Sequence, residues 1–278
     1  ESLKDLEVQQ FIKEHQDQLV PDALNKSAAN IYEFVTQRNK ILNNEDSTVS
    51  GFLPQLIVNN GLIDVTYVPS QKTAARLEAD ELAQQLKKSI VPDFVHGVKL
   101  TAYQQTEGRI PALKAALQIA TRAQNHEDFR GLYLSGDFGV GKSYLLAGLA
   151  NELVKAGLQV IFVNVADLMS DLQASFQTND LSQKLEQIKK TDVLILDDIG
   201  AENLSQWFRD DVLGIILQYR MDNVLPTFFS SNFSMTDLEN HFTDTKSGEE
   251  PVKARRLMER VRTLSQEIVV AGENQRHH

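Results

Sequence analysis

Lys142 and Ser143 end a run, Gly136-Asp137-Phe138-Gly139-Val140-Gly141-Lys142-Ser143, in which three glycines precede a cation and a hydroxyl. Glycines let a backbone turn tightly and approach an anion, so that successive N–H groups and a helix N-terminus point at it. A lysine at the end of such a loop reaches the β- and γ-phosphates of a nucleoside triphosphate, and the serine hydroxyl can hold Mg²⁺. The run, with Tyr144 after it, is the candidate nucleotide-binding segment. Its setting matches the chemistry: apolar Leu132 to Leu134 reads as a short buried strand before the loop, and a helical pattern ending at Gly157 follows. The competing reading is a glycine-rich turn between an ordinary strand and helix.

Two more stretches could complete such a site. Val193-Leu194-Ile195-Leu196-Asp197-Asp198 is four apolar residues ending in two carboxylates, the pattern of a central parallel strand whose C-terminal tip meets ligand. Asp197 would then hold Mg²⁺, through water or through Ser143, and Asp198 would orient or deprotonate the attacking water; alternatively the pair only caps a turn before Gly200. Thr227 to Ser231 reads as a strand ending at Asn232. A helix and strand inserted between the acidic strand and a polar strand tip is the additional-strand P-loop arrangement, which gives Asn232 a contact with the γ-phosphate or the lytic water. Asn232 as a cap on the helix from Ser234 to His241 is the other reading. Lys253 to Arg262 packs five cations and one acid into ten residues. On a helix this turns Leu257 and Val261 inward and spreads the arginines over the outer surface, which is either a solvated face or a source of a cation for a neighbour's site.

The elements that must position these residues fall into two halves. From Asp5 to Gln18 the apolar spacing predicts a helix, with His15 an ordinary face residue, and Pro21-Asp22 breaks it. A second helix follows, capped near Asp22, with Leu24, Ala28, Ile31, Val35 and Leu42 on one face. Gln55 to Val58 and Leu62 to Val68 are β-rich runs separated by Asn59-Asn60-Gly61, a tight hairpin. Helical periodicity returns over Arg76 to Lys88, and the boundary is placed near residue 100, giving an N-terminal domain over 1–100 and a second over 101–278. The second is read as α/β: a helix over Pro111 to Gln124, strands at Leu132, Val160 and Val193, helices over Val165 to Phe176, Asp180 to Lys190 and Ser205 to Asn223, and a closing strand Glu267 to Val270.

Composition narrows the class. Apolar content of 42% and charged content of 24% are those of a globular chain with a sizeable core. A net charge of −10 argues against wholesale coating of nucleic acid and leaves a local basic face to be found. With no cysteine, disulfides and thiolate metal sites are excluded. No apolar run approaches a membrane span, and a cytoplasmic location is expected. The chain opens on Glu1 rather than Met, which leaves room for residues before it.

GDFGVGKSYLL, LILDDIGAE, TFFSSN and ARRLMERVR, in that order and spacing, resemble the bacterial replicative-helicase loaders of the DnaI type, related to DnaC-type loaders and to the initiator branch of AAA+ ATPases. The resemblance covers nearly the whole chain. It implies an AAA+ additional-strand P-loop domain, a parallel sheet with helices on both faces, preceded by a small α+β adaptor domain that docks on the hexameric helicase; the stretch beyond Val270 is expected to be too short for the helical lid of typical AAA+ proteins. It implies ATP and Mg²⁺ as cofactors, with Lys142 and Ser143 the Walker A pair, Asp197 and Asp198 the Walker B pair and Asn232 the first sensor. Arg260 matches the finger arginine that serves a neighbouring subunit, and Arg256 is a neighbour with a role not separable from it. Single-stranded DNA and self-association on the helicase ring are the further partners implied. Such loaders commonly carry a zinc site with cysteines just after the hairpin, where this chain reads Tyr67-Val68-Pro69-Ser70-Gln71-Lys72; serine and glutamine are poor zinc ligands, and no zinc is expected.

The leading functional reading is therefore a slow, switch-like ATPase that loads the replicative helicase in primosome assembly. A transposition-helper ATPase of the same branch, and a nucleotide-gated adaptor without turnover, are its rivals. A GTPase lacks support because no Asn-Lys-x-Asp tetrapeptide is present.

Overall fold

A computed structural model describes residues 2–43, 45, 47–86, 89–178, 180–201, 205–245 and 248–275. The chain divides into two compact units, residues 1–81 and 82–278.

In the smaller unit, helix α1 (Leu6–His15) starts at Asp5, whose carboxylate accepts from the N–H groups of Glu7 at 3.1 Å and Val8 at 3.4 Å. These are first-turn donors with no partner inside the helix. The expected cap, Asp22, makes no such bond and instead accepts from the Asn25 side-chain amide. The second helix is broken into α2 (Ala23–Lys26) and α3 (Ala28–Leu42) around Ser27. Its expected apolar face is turned: Ile31 and Phe34 are buried, while Leu24 and Leu42 are exposed. Polar groups cause the turn. Ser27 Oγ accepts from Ile63 N–H at 2.8 Å, Asn30 donates to Ile63 O at 3.1 Å, and Gln37 accepts from Thr48 N–H at 3.0 Å, so these residues must face the neighbouring chain.

That neighbour is an antiparallel hairpin of β1 (Phe52–Asn59) and β2 (Leu62–Pro69). Its two-residue turn holds Asn60 and Gly61 at φ 51° and 76°, the left-handed pair that matches the strand twist. Val8, Ile31, Phe34, Leu56 and Ile63 form the core. His15 is a face residue, stacked on Phe11 with a ring nitrogen 3.0 Å from Phe11 O. After the hairpin, Ser70 Oγ accepts from Thr73 N–H and opens α4 (Gln71–Leu86). Among the described residues no three His, Cys, Asp or Glu side chains cluster as metal ligands would.

The larger unit contains α5 (Ile110–Gln124), β3 (Gly131–Ser135), α6 (Lys142–Lys155), β4 (Val160–Asn164), α7 (Val165–Thr178), α8 (Leu181–Lys190) and β5 (Val193–Asp197). A π-helical stretch, Phe208–Leu213, then runs into α9 (Gly214–Asp222), followed by β6 (Thr227–Ser231), α10 (Met235–Thr243), a two-residue pair β7 (Asp244–Thr245) and β8 (Gly248–Glu249), α11 (Pro251–Leu264) and β9 (Ser265–Val269). Five strands form a parallel sheet in the order β4-β5-β6-β3-β9. Helices cover both faces, as expected. Leu132, Leu134, Phe162, Ile195 and Phe228 pack under α5 and α6, while Tyr133, Ile161, Leu194, Leu196 and Phe229 pack under α7 to α11. Successive strand residues point to opposite faces, so strands this apolar are at home only when covered on both. With β6 between β3 and β5, the tips of the P-loop strand, the acidic strand and the strand before Asn232 lie side by side, where an open α/β sheet binds ligand.

The expected boundary near residue 100 lies inside this unit. Val95, Leu100 and Tyr103 are buried in its core, Ile90 bridges to Ile161 at the sheet edge, and Asn151 of α6 donates to Val95 O and Val98 O at 2.7 and 2.8 Å. At the opposite end of the strands from the loop, Arg220 of α9 is wholly buried. It donates to Thr191 O, Pro226 O and Thr227 Oγ1, each at 2.8 Å, and ties together the starts of β5 and β6. Burial pushes its pKa down to about 10. On α11, Leu257 and Val261 face inward as expected, joined by Ala254, Met258 and Leu264. Beyond β9 the described residues are irregular and stay at the loop end of the sheet, where Ala271 N–H donates to Gly108 O at 3.0 Å. No helix among the described residues is long and apolar enough to cross a membrane.

Candidate functional site

The P-loop follows β3 and closes onto α6 through Gly141, which at φ 101° occupies a conformation that other residues rarely adopt. At Gly136 the constraint is contact: a Cβ there would lie 2.1 Å from Val270 O. Lys142 is buried and donates to Gly136 O at 2.6 Å, Asp137 O at 2.8 Å and Asn232 Oδ1 at 2.9 Å. Its ammonium thus sits between the loop and the tip of β6. The Asn232 amide donates in turn to Asp198 Oδ1 at 3.2 Å, so one asparagine spans the lysine and the second carboxylate. The helix after it is capped by Ser234, whose Oγ accepts from Asp237 N–H at 3.1 Å, and not by Asn232.

Ser143 Oγ donates to Asp197 Oδ1 at 2.8 Å. The same carboxylate oxygen accepts from Ser230 Oγ, which also accepts from Asp198 N–H at 2.9 Å. Burial raises the Asp197 pKa, and the nearby Asp198 charge adds to it; the Ser230 and Ser143 hydroxyls and the Lys142 charge pull the other way. Asp198 adopts a left-handed backbone, φ 60°, uncommon outside glycine and affordable here because its N–H and that of Ile199 are both held by Ser230. Together these groups line a cleft of about 320 Å³ with Phe138, Gly139, Gly141, Tyr144, Asn164 and Gln275.

The cleft gathers most of the residues expected from the sequence, with three differences. Val140 points its side chain into the core, 1% exposed, so only its backbone is available to a ligand. Gly136 and Asp137 contribute the carbonyls that hold Lys142 rather than lining the cleft. Arg260 is elsewhere. It lies on α11, donates from Nε to Gln218 Oε1 at 2.8 Å, and lines a separate groove with Arg256, Lys253, Trp207 and Asp211.

Beyond Asn164, which lines the cleft from the tip of β4, three residues at the site carry no sequence signature that marks them. Ser230 stands in a buried strand, where two adjacent serines before Asn232 were the available signal. Tyr103 packs beside Gly141 and stacks with Tyr144 at 6.2 Å between ring centroids. Gln275 reaches the cleft through the chain beyond β9, its N–H donating to Gly139 O at 2.9 Å, and nothing in the sequence marks it.

Chemically, the cleft offers backbone N–H groups at a helix start, one ammonium, and a serine–carboxylate pair of hard oxygen donors. That set fits a nucleoside triphosphate with a magnesium ion.

Comparison with known proteins decides the family. Residues 1–67 match the family model described as primosomal protein DnaI N-terminus, and residues 70–278 match that of the IstB-like ATP binding protein. The replicative helicase loader DnaI of Bacillus subtilis (strain 168) is 40% identical over 286 residues, covering 99% of this chain and 91% of that one. The chain belongs to the DnaI family of replicative helicase loaders. A crystal structure of DnaI superposes with a TM-score of 0.60 at 42% identity, covering 69% of this chain and all of that one. The DnaC helicase loader, at 21% identity and a TM-score of 0.55 over 65% of this chain and all of that one, shares the fold. The ATPase unit is thus an AAA+ domain, and the DnaI-type N-terminal unit precedes it, as the motifs implied.

Proposed function

We propose that this chain delivers the hexameric replicative helicase onto single-stranded DNA during primosome assembly, in the cytoplasm, with ATP binding and slow hydrolysis as the switch. The observation that carries the nucleotide half of this reading is the bonded set Ser143–Asp197 and Lys142–Asn232–Asp198 at three adjacent strand tips. The helicase half rests on the likeness to DnaI, a replicative helicase loader by name, over nearly the full chain. The smaller unit, residues 1–81, would carry docking, and the larger one, residues 82–278, the ATPase. A transposition helper of the same branch is the rival reading; the DnaI-type N-terminal match favours the loader.

In the proposed mechanism, the loop N–H groups bind the triphosphate and Lys142 exchanges its two loop carbonyls for phosphate oxygens. Ser143 and Asp197 would hold Mg²⁺, which when bound neutralises phosphate charge. Asp198 takes the proton of the attacking water, and Asn232, fixed at both ends, orients that water against the terminal phosphate. Turnover is slow in the isolated chain and rises with helicase or single-stranded DNA.

Two measurements test this. Lys142→Ala should weaken ATP binding about ten- to a hundredfold, for the loss of a charge-assisted contact of roughly 1.5 to 3 kcal/mol; unchanged affinity would remove the nucleotide assignment. Size measurement of a mixture with the replicative helicase, with and without ATP, should show a complex, and its absence in both conditions would remove the loader assignment.

A further inference from the structure

The outer edge of β1 is unpaired. A two-residue turn makes Asn59 and Leu62 a hydrogen-bonded pair, so the bonded positions on β1 run back through Ile57 and Gln55, and the N–H and C=O groups of Leu56 and Val58 point away from β2. The partner strand agrees: Ile63, opposite Val58, turns its own N–H and C=O outward to Ser27 and Asn30. No described residue bonds the outward groups of Leu56 or Val58. Pro54, one step earlier on the same side, has no N–H, as is common on a sheet edge.

Edges of this kind are usually blunted or covered. Here α1 runs beside the edge and leaves a groove of about 640 Å³ between them. Its lining includes the four consecutive residues Gln55 to Val58 of β1, as a cleft along a strand edge requires. Phe11 and Phe34 supply an apolar floor, and Glu7 and Glu14 stand on the α1 side with no lysine or arginine lining the groove. The whole unit is acidic: residues 1–81 carry thirteen Asp and Glu against seven Lys and Arg. The wall is firm, because Arg38 grips both Asp5 and Glu7 at the start of α1.

We propose that this groove takes an extended segment of the replicative helicase, which adds to β1 as a third strand with apolar side chains at alternate positions and lysine or arginine beside them. Leu56 and Val58 supply the backbone bonds, Phe11 and Phe34 the floor, and Glu7 and Glu14 the charge selection. The inference rests on the reading of the chain as a helicase loader and names the surface that reading needs.

The test uses the full chain and the replicative helicase. Amide hydrogen exchange at Leu56 and Val58 should be fast in the free chain and at least tenfold slower in the complex. Val58→Pro removes one outward N–H while sparing the bonds to β2, and Glu14→Lys reverses a charge at an exposed position that poses no risk to folding. Each should weaken helicase binding about tenfold or more with ATP affinity unchanged. If the complex forms and exchange at Leu56 and Val58 is not slowed, or both variants bind like the parent chain, the groove is the wrong surface and the loader reading stands. If the parent chain does not bind the helicase, both fall.

Discussion

A lysine ammonium with 7% of its surface exposed needs acceptors for its protons, and Lys142 finds Gly136 O, Asp137 O and the side chain of Asn232. Asp197 is in the opposite position: its buried carboxylate is held through one oxygen by two hydroxyls, and burial still drives its pKa upward. A carboxylate raised in the folded state contributes its full stability below its unfolded pKa of about 3.9 and loses it as pH climbs through the folded value. At neutral pH, without ligand, the charge is therefore a cost. Asn at this position keeps the oxygen that both hydroxyls use and removes the charge. Asp197→Asn should raise the melting temperature of the nucleotide-free protein by a few degrees, with the gap over the parent chain opening as pH rises above about 4, and should abolish the stabilisation that magnesium and ATP give the parent. A lower melting temperature across that range would contradict the electrostatic account. The lysine, both aspartates and Asn232 were legible in the sequence because phosphate and water chemistry demands those types at strand tips. Ser230 and Gln275 were not, since a serine in a strand and a glutamine in an irregular segment have no signature of their own.

Among the elements, α1 is held at its start by one residue with two tasks. Asp5 caps the first turn and also meets Arg38 of α3 through both carboxylate oxygens, with Arg38 lying over the Phe34 ring at 5.4 Å. The Arg38 contact, ahead of opposing burial and the helical N–H bonds, pulls the Asp5 pKa down to about 2. A carboxylate lowered in the folded state stabilises above its unfolded pKa and loses that contribution as pH falls through the folded one, here between about 4 and 2. The side chains of the pair are about one-fifth exposed, so solvent screening keeps the ion pair near 1 kcal/mol, and the cap adds about 1 kcal/mol. Asp5→Ala should then destabilise the smaller unit by about 2 kcal/mol at pH 7 in chemical denaturation, with most of the difference gone near pH 2. An equal difference at both pH values would assign the loss to packing alone. The hairpin was readable because Asn-Gly leaves few other conformations, whereas the cap and the buried face of α3 were not. Periodicity assigns apolar residues to the core and is blind to Ser27, Asn30 and Gln37, whose bonds to the neighbouring chain set the helix rotation. For the same reason Val95, Leu100 and Tyr103, in a stretch broken by Pro92 and Gly97, gave no periodic sign that they belong to the larger core.

At the scale of the whole molecule, the AAA+ unit has the residues proposed to handle phosphate in one cleft and Arg260 in another groove, beside Gln218 and Arg256. Burial, reinforced by the Arg256 charge and opposed by that of Asp222, lowers the Arg260 pKa, yet an arginine stays cationic at neutral pH, so it remains able to meet an anion supplied by a neighbouring subunit. Within the cleft, Lys142 is the cation among the lining residues, and the charge that develops on a transferred phosphoryl group calls for a second. Arginines supplied from outside a site change rate by about 10³ to 10⁵ in well-studied P-loop systems. A chain of net charge −10 also has an electrostatic reason to stay apart until a partner gathers several copies. Arg260→Ala should therefore leave ATP affinity of the isolated chain within about twofold of the parent and abolish the hydrolysis stimulated by helicase or single-stranded DNA. Lys142→Ala chains should be equally inactive alone. Mixed in equal amounts on the helicase, the two variants should recover part of the activity, because Arg260 of the Lys142→Ala chain then faces an intact P-loop in the Arg260→Ala chain. No recovery, together with weakened ATP binding by Arg260→Ala alone, would place this arginine in its own subunit's chemistry.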